Sequence, residues 1–300
     1  MKLRKNTREA IFGYLFILPN FLGFLAFIIL PVIFALVASF TELKFTSNPS
    51  GLGFTMTFVG AENYASMWSD HWFIASMLNN LYFSLVKVPV TIVTALFCAI
   101  ILNKYVFCKS AIRMMFFLPY IANIVVVSSV WFAMYMDTAP FTRIVKLLGV
   151  ENPPYWLADT RWAMPAVIVV SVWAHLGYTM VIYLAGLQAI PQGLYEACEI
   201  DGANAVQKFI HITLPMLSPT TFFILITTII NSFKVFGQIN VMTRGGPGTS
   251  TTVLVYYIYQ AAFKFWKMGY ASAMSWVLFI MIFAVTLIQW RGQKKWVSYM

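Results

Sequence analysis

A chain of 300 residues in which 60% are hydrophobic, 17% aromatic and only 10% charged, with a mean hydropathy of +0.77, lies far from the roughly 45–50% apolar and 25% charged make-up of soluble domains, which excludes an ordinary water-soluble protein. Its 20 basic and 10 acidic residues leave a net charge of +10, yet no block of five or six like charges occurs, so the excess does not describe a nucleic-acid surface. It reads instead as topology information for a membrane.

Six hydrophobic runs are long enough to cross a bilayer as helices. In chain order they are Ile11 to Phe40, interrupted by Pro19 and Pro31; Phe73 to Leu102; Ile112 to Met136; Ala163 to Ile190; Leu217 to Met242; and Ala271 to Trp290. Backbone polar groups have no partners in lipid, so separate runs of this length form a helical bundle. A barrel is excluded because the runs do not alternate with period two. The expectation is an all-α polytopic membrane protein embedded in lipid.

The basic residues set its sidedness through the positive-inside rule. Lys2, Arg4, Lys5, Arg8, Lys104, Lys109, Arg113, Lys208, Arg291, Lys294 and Lys295 fall on one side, eleven in all. Lys44, Arg143, Lys146, Arg161, Arg244, Lys264 and Lys267 make seven on the other. Both termini are therefore predicted cytoplasmic, with the segments Thr41 to Trp72, Asp137 to Trp162 and Thr243 to Tyr270 outside. The first apolar run is about twice the 7–15 residues of a signal-peptide core and reads as retained, although Val37-Ala38-Ser39 faintly resembles a cleavage site. The chain divides into a first helix with its external loop (1–72), a core of spans (73–290) and a short cytoplasmic tail (291–300). Cys98, Cys108 and Cys198 lie at the cytoplasmic end of spans or in cytoplasmic loops, where a disulfide is not expected. His71, His175 and His211 are scattered, without the ligand spacing of a zinc site.

One cytoplasmic connection stands apart, Pro191 to Pro215, reading PQGLYEACEIDGANAVQKFIHITLP. Glu196, Glu199 and Asp201 reverse the charge sign of their own side. Leu194, Ala197, Cys198, Ile200, Ala203 and Val206 recur at helical spacing, so a short amphipathic helix with a break at Gly202 is predicted. Helices that lie passively in headgroups favour basic polar faces; an acidic one suits a basic protein partner.

This segment resembles the EAA loop of ABC importer permeases, E-A-A-x3-G-x9-I-x-L-P. It stands here as Glu196-Ala197-Cys198, Gly202, Ile212 and Leu214-Pro215, every spacing kept and Cys198 alone departing from alanine. Leu176-Gly177-Tyr178, Ala185 to Pro191, and Thr243-Arg244-Gly245-Gly246-Pro247 with Ser250-Thr251-Thr252 extend the resemblance to the carbohydrate branch, the maltose and glycerol-3-phosphate type, over essentially the whole chain. The resemblance implies a type I importer transmembrane domain of six helices in a bacterial cytoplasmic membrane. It implies that Glu196, Ala197, Cys198, Asp201, Gly202, Ala203, Leu214 and Pro215 dock a cytoplasmic ATPase subunit, present in two copies. It also implies a second, homologous permease and an extracellular or periplasmic solute-binding protein. The residues themselves show no G-x-x-x-x-G-K-[ST], and Gly245-Gly246-Pro247-Gly248 lacks the Lys-Ser of a phosphate loop. The chain is thus expected to be no enzyme and to hold no cofactor, with ATP and magnesium belonging to the partner.

Polar residues inside spans usually face a bundle interior or cavity. In the fifth run Thr227, Asn231, Lys234 and Gln238 recur at i, i+4, i+7 and i+11, with Thr228 and Ser232 beside them, which predicts one polar stripe on a continuous helix. Amides and hydroxyls both donate and accept, as a hydroxyl-rich solute requires. The substrate path is therefore expected at Thr228, Asn231, Ser232, Lys234 and Gln238, and, by resemblance to maltose-type permeases, at Gly177 and Tyr178. Lys87 beside Pro89, and Asn79-Asn80, read as packing against a partner permease. A glycerol-3-phosphate or polyol permease is the alternative, with Lys234 the one basic candidate in the stripe. A secondary transporter is more distant, since it would need an intramembrane carboxylate. Which sugar is carried is not legible.

Overall fold

The computed structural model describes residues 5–48, 51–104, 108–150 and 152–298. Five of its helices are long and apolar enough to cross a membrane, or six if one bent pair counts as a single span. The chain forms two compact units, one of residues 1–69 with 258–277, the other of 70–257 with 278–300.

In the first unit, α1 (Lys5–Phe24) runs through a π turn, Leu25–Ile29, into α2 (Leu30–Ser39). The widened turn has a local cause. A proline in a helix clashes with the carbonyl four residues back and cannot donate to it, and the residue four before Pro31 is Phe27, inside the π turn. There the Leu30 N–H reaches the Leu25 carbonyl instead. The stretch Phe12–Ser39 is almost unburied, 6% of its most apolar window, as suits a helix surrounded by lipid or another chain.

Beyond it the expected external loop holds an antiparallel hairpin, β1 (Thr41–Asn48) and β2 (Gly51–Phe58), in register from Thr41 opposite Phe58 to Asn48 opposite Gly51. Its base is tied down by α3 (Glu62–Met67). Asn63 Nδ2 donates to the carbonyls of Ser39 and Thr41 at 2.9 and 3.0 Å, and the Tyr64 hydroxyl donates to Ser39 Oγ at 2.7 Å.

The second unit begins with α4 (His71–Lys104), whose buried stripe Phe73, Ser76, Asn80, Phe83, Lys87, Thr91, Ala95, Ala99 and Leu102 keeps helical spacing and packs on α8 (below). The third run is not one straight helix, contrary to the sequence expectation. It breaks into α5 (Lys109–Ile121) and α6 (Ile124–Met134), which meet at 96°. Pro119 removes a helical donor, Ala122 turns extended at ψ 145°, and Asn123 Oδ1 accepts from the Val125 N–H at 2.9 Å, capping the new start. After α7 (Pro140–Leu147), α8 (Ala163–Ala189) forms the centre, with 61% of its most apolar window buried. It is apolar nearly all round because neighbours cover most of it, although Val169 stays exposed. A Cβ placed on Gly177 would run into the Phe116 carbonyl, so α5 crosses α8 with backbones touching, the use membrane helices make of small residues.

Then follow α9 (Gln192–Ile200), α10 (Ala205–Lys208), a π turn Phe209–Thr213, α11 (Leu214–Met216), α12 (Ser218–Phe233) and α13 (Gly237–Met242). The second π turn repeats the logic of the first: His211, four before Pro215, lies inside it, and the Leu214 N–H reaches the Phe209 carbonyl. The chain closes with α14 (Leu254–Phe263) and α15 (Met268–Gln293).

The fifth run is also interrupted, since α12 stops at Phe233 and α13 resumes only at Gly237. Asn80, wholly buried, ties the end of α12 to the start of α14. Its Nδ2 donates to the Phe233 carbonyl at 3.4 Å and its Oδ1 accepts from the Leu254 N–H at 3.1 Å. Asn79 Nδ2 donates to the carbonyls of Thr249 and Thr252 at 2.6 and 2.9 Å. Both asparagines therefore serve this chain's own backbone rather than the face of a partner, which corrects the sequence reading. Asn80→Ala orphans a buried donor and acceptor, each worth about 1–3 kcal/mol. It should lower the thermal midpoint of the detergent-purified protein by several degrees, more than Asn79→Ala at its half-buried site, as read by a cysteine-reactivity melt. Equal midpoints for Asn80→Ala and the parent would contradict this role.

Candidate functional site

The connection 191–215 folds as the sequence predicts, a short helix and a sharp reversal. Asp201 closes α9, and Gly202 follows at φ +78°. Its N–H donates to the Glu199 carbonyl at 3.0 Å and the Ala203 N–H to the Cys198 carbonyl at 2.9 Å, the paired bonds of a Schellman stop. Positive φ favours glycine, and space does not enter, because a Cβ at Gly202 would meet nothing within 4 Å. Two residues later Asn204 starts α10 with a reciprocal capping box. Asn204 Oδ1 accepts from the Gln207 N–H at 2.9 Å, and Gln207 Oε1 accepts from the Asn204 N–H at 2.8 Å.

Stop and start are then locked together. Lys208 Nζ donates to Glu199 Oε1 at 2.5 Å, bridging α9 and α10. That hydrogen bond, reinforced by the Lys208 charge and faintly by Lys104, holds the Glu199 carboxyl below the ordinary carboxylate range against a small opposing desolvation. On the inner side the Tyr195 hydroxyl and Thr213 Oγ1 share a bond of 2.9 Å. Tyr195 and Cys198 pack against a core of Ala95, Ala99, Leu102, Tyr183, Leu187 and Ile212, among others.

The expected apolar stripe is thereby divided. Cys198 faces the core and Ala203 is half-buried, but Leu194, Ile200 and Val206 are exposed, Ile200 at 88%. The reversal at Gly202 turns the second half away from the register a single helix would keep. Tyr195, three residues before Cys198, and Lys208, nine residues after Glu199 and beyond the turn, were given no role in the loop by the sequence. Glu196, Ala197, Asp201, Gly202, Leu214 and Pro215 are all exposed. With Glu199, itself exposed, paired to Lys208, Glu196 and Asp201 add two further exposed carboxylates beside the exposed Leu194, Ile200 and Val206.

The residues expected to line a path fall into three groups. Thr228 and Ser232 lie on the buried face of α12 against α4, where Ser232 Oγ donates to Ser84 Oγ at 2.7 Å. Gly177 is at the α5 crossing, and Tyr178 stacks on Tyr120 at 4.5 Å between centroids, with His175 edge-on to Tyr120 at 5.9 Å. Gln238, 3% exposed, accepts from the Ser171 hydroxyl of α8. The single stripe Thr227, Asn231, Lys234, Gln238 does not form. Lys234 sits at the end of α12, Phe236 leaves helical space at φ −142°, ψ −58°, and α13 starts in a new direction. Asn231 and Lys234 are exposed, whereas Gln238 is turned inward. Ser84, Ser171, Tyr120 and His175 complete these groups and escaped sequence reasoning, since each acts across helices. Among the described residues no group of three His, Cys, Asp or Glu could hold a metal ion.

Residues 89–291 match the family described as "Binding-protein-dependent transport system inner membrane component". The chain is 33% identical to the probable ABC transporter permease protein YesP of Bacillus subtilis, across 99% of this chain and 95% of that one. It is 32% identical to the lactose transport system permease protein LacF of Rhizobium radiobacter, across 94% of each. Its fold superposes on a chain of a bacterial ABC transporter involved in the import of the acidic polysaccharide alginate with a TM-score of 0.81, at 23% identity, covering 98% of this chain and 99% of that one.

The bracing of the loop has a measurable sign. A carboxyl with a depressed pKa keeps its ion pair above that value and loses it as pH falls through it. In a 13C titration of the purified protein, Glu199 should therefore titrate below a free glutamate, and Lys208→Gln should move it back up toward the ordinary range. An unchanged midpoint would remove Lys208 as the cause.

Proposed function

Because the chain belongs to the binding-protein-dependent transport system inner membrane component family, we propose that it is one membrane subunit of an ABC importer that passes a carbohydrate, a mono- or oligosaccharide, across the cytoplasmic membrane of its bacterium. The observation that carries this reading is the knob at 191–215. It is exposed and chemically suited to a partner, and it is internally braced by the Glu199–Lys208 pair and the Tyr195–Thr213 bond. A braced knob transmits displacement; a floppy one would absorb it. The kinship with the lactose permease supports a sugar as cargo.

In this reading Glu196, Ala197, Cys198, Asp201, Gly202, Ala203, Leu214 and Pro215 form the seat for a separate cytoplasmic ATPase, of which two copies serve the assembly. ATP and magnesium are held by those copies and the chain itself catalyses nothing. A second, homologous permease completes the pathway, and a solute-binding protein delivers cargo from outside. Both termini face the cytoplasm, in keeping with the excess of bases there. When the ATPases close, the knob moves with them. Its covalent continuity with α8 and α12 turns that displacement into a rigid-body alternation of access. Gly177, Tyr178, Thr228, Asn231, Ser232, Lys234 and Gln238 are the candidate contacts along the path. Because Lys234 is exposed at the end of α12, it is a poor anchor for a phosphate.

Gly202→Val places a β-branched residue at φ +78° and should cost about 1–2 kcal/mol of turn geometry. The variant is expected to reach the membrane at parental levels, to lose the ATPase on purification and to drop uptake tenfold or more. Gly202→Asn, which tolerates the left-handed conformation, should keep most of both. Transport and ATPase retention unaffected by valine would overturn the coupling assignment.

A further inference from the structure

We propose that the centre of the bundle carries an anion-recognition point built on Lys87 and Gln238, so that the carbohydrate passed is acidic or phosphorylated; this rests on the transport reading above and narrows its cargo.

Lys87 lies midway along α4, on the stripe that faces α8, and is only 2% exposed. Its ammonium is 5.8 Å from the Phe83 ring centroid, and no carboxylate pairs with it among the described residues. The sequence offers none at that depth. Not one of the ten acidic residues falls within 12–39, 71–104, 109–134, 163–189, 218–242 or 268–293. An ammonium removed from water needs a counter-charge or an aromatic and polar shell, and a residue this enclosed is beyond the reach of another protein's side chain. The counter-ion it can meet is a mobile one, arriving through the pathway.

A second buried donor points to the same need. Gln238 spends its Oε1 on the Ser171 hydroxyl, while its Nε2 is buried without a hydrogen-bond partner. The two donors share a neighbourhood. Phe83, beneath the Lys87 ammonium, belongs to the same core as Ile239, the residue after Gln238. Ser171 is one helical turn from His175, whose Nδ1 lies 3.0 Å from the Ser171 carbonyl, and His175 is within electrostatic range of Lys87. Ser84, one turn from Lys87, holds Ser232 of α12. The junction of α4, α8 and the α12–α13 break thus presents unspent donors and a positive charge with no acid to answer them. A carboxylate or phosphate supplies several acceptor oxygens and the missing charge; hydroxyls alone supply no charge. Opening of that junction is what alternating access would provide.

The test uses the complete importer with its solute-binding protein. The binding protein is first screened by thermal shift against neutral sugars, uronic-acid oligosaccharides such as trigalacturonate, and phosphorylated polyols such as glycerol 3-phosphate. Stabilisation by an anionic member at least tenfold stronger than by its neutral counterpart is expected, and the carboxylate and phosphate arms tell the two chemistries apart. ATP-driven uptake of that solute into proteoliposomes should then fall tenfold or more in Lys87→Gln and severalfold in Gln238→Leu, with Lys87→Arg within threefold of the parent. Preference for neutral sugars alone, or uptake in Lys87→Gln within twofold of the parent, overturns the proposal and leaves the carbohydrate reading standing. Failure of Lys87→Arg to rescue, with both variants equally abundant in the membrane, also overturns it. Stabilisation by no sugar of any class removes the carbohydrate reading itself.

Discussion

In lipid a backbone N–H or C=O has no water to turn to, and the architecture of the second unit follows from where its helices break and what closes each break. The Phe233 carbonyl, released where α12 stops, is met by Asn80 from α4, which also receives the Leu254 N–H. At the bend between α5 and α6, Asn123 caps the new helix. Where prolines interrupt without a change of direction, before Pro31 and before Pro215, the helix widens into a π turn and keeps its ladder. Asparagine closes these two breaks and π turns accommodate Pro31 and Pro215, whereas Pro19 and Pro89 lie inside continuous α-helices.

The same economy of bonds separates the two regions of functional interest. At the knob 191–215 nearly every local option is used, with a Schellman stop, a capping box, an ion pair and a phenol–hydroxyl bond within about twenty residues. What it leaves outward includes Leu194, Ile200, Val206 and the carboxylates of Glu196 and Asp201. At mid-bundle the reverse holds: Gln238 Nε2 is buried without a hydrogen-bond partner, and the Lys87 ammonium has no carboxylate paired with it among the described residues.

Much of this was legible in the chain. Spans two and four end within two residues of their expected limits, because twenty apolar residues are a local property. The loop helix and its stop at Gly202 were legible because caps and glycines act over four or five residues. The hairpin after the first span was missed: among so many apolar runs, eight-residue strands carry a weak signal. The polar stripe on the fifth span failed for another reason. Periodicity extended it through Lys234 and Gln238, and nothing in Phe233-Lys234-Val235-Phe236-Gly237 announces a break whose freed Phe233 carbonyl is met by Asn80 from a different helix.

The sequence by itself therefore determined a multi-span membrane chain and a short loop helix that stops at Gly202, both of them matters of adjacent residues. Tertiary structure alone decided that the fifth span is broken, that Asn79 and Asn80 serve the chain's own backbone, that Gln238 turns inward while Asn231 and Lys234 do not, and that Lys87 is enclosed with no acid paired to it among the described residues. The placements of Asn80 and Gln238 depend on pairs separated by tens to hundreds of residues, Asn80 with Phe233 and Gln238 with Ser171. Hydropathy and spacing register what a residue prefers; only packing shows which partner it has been given.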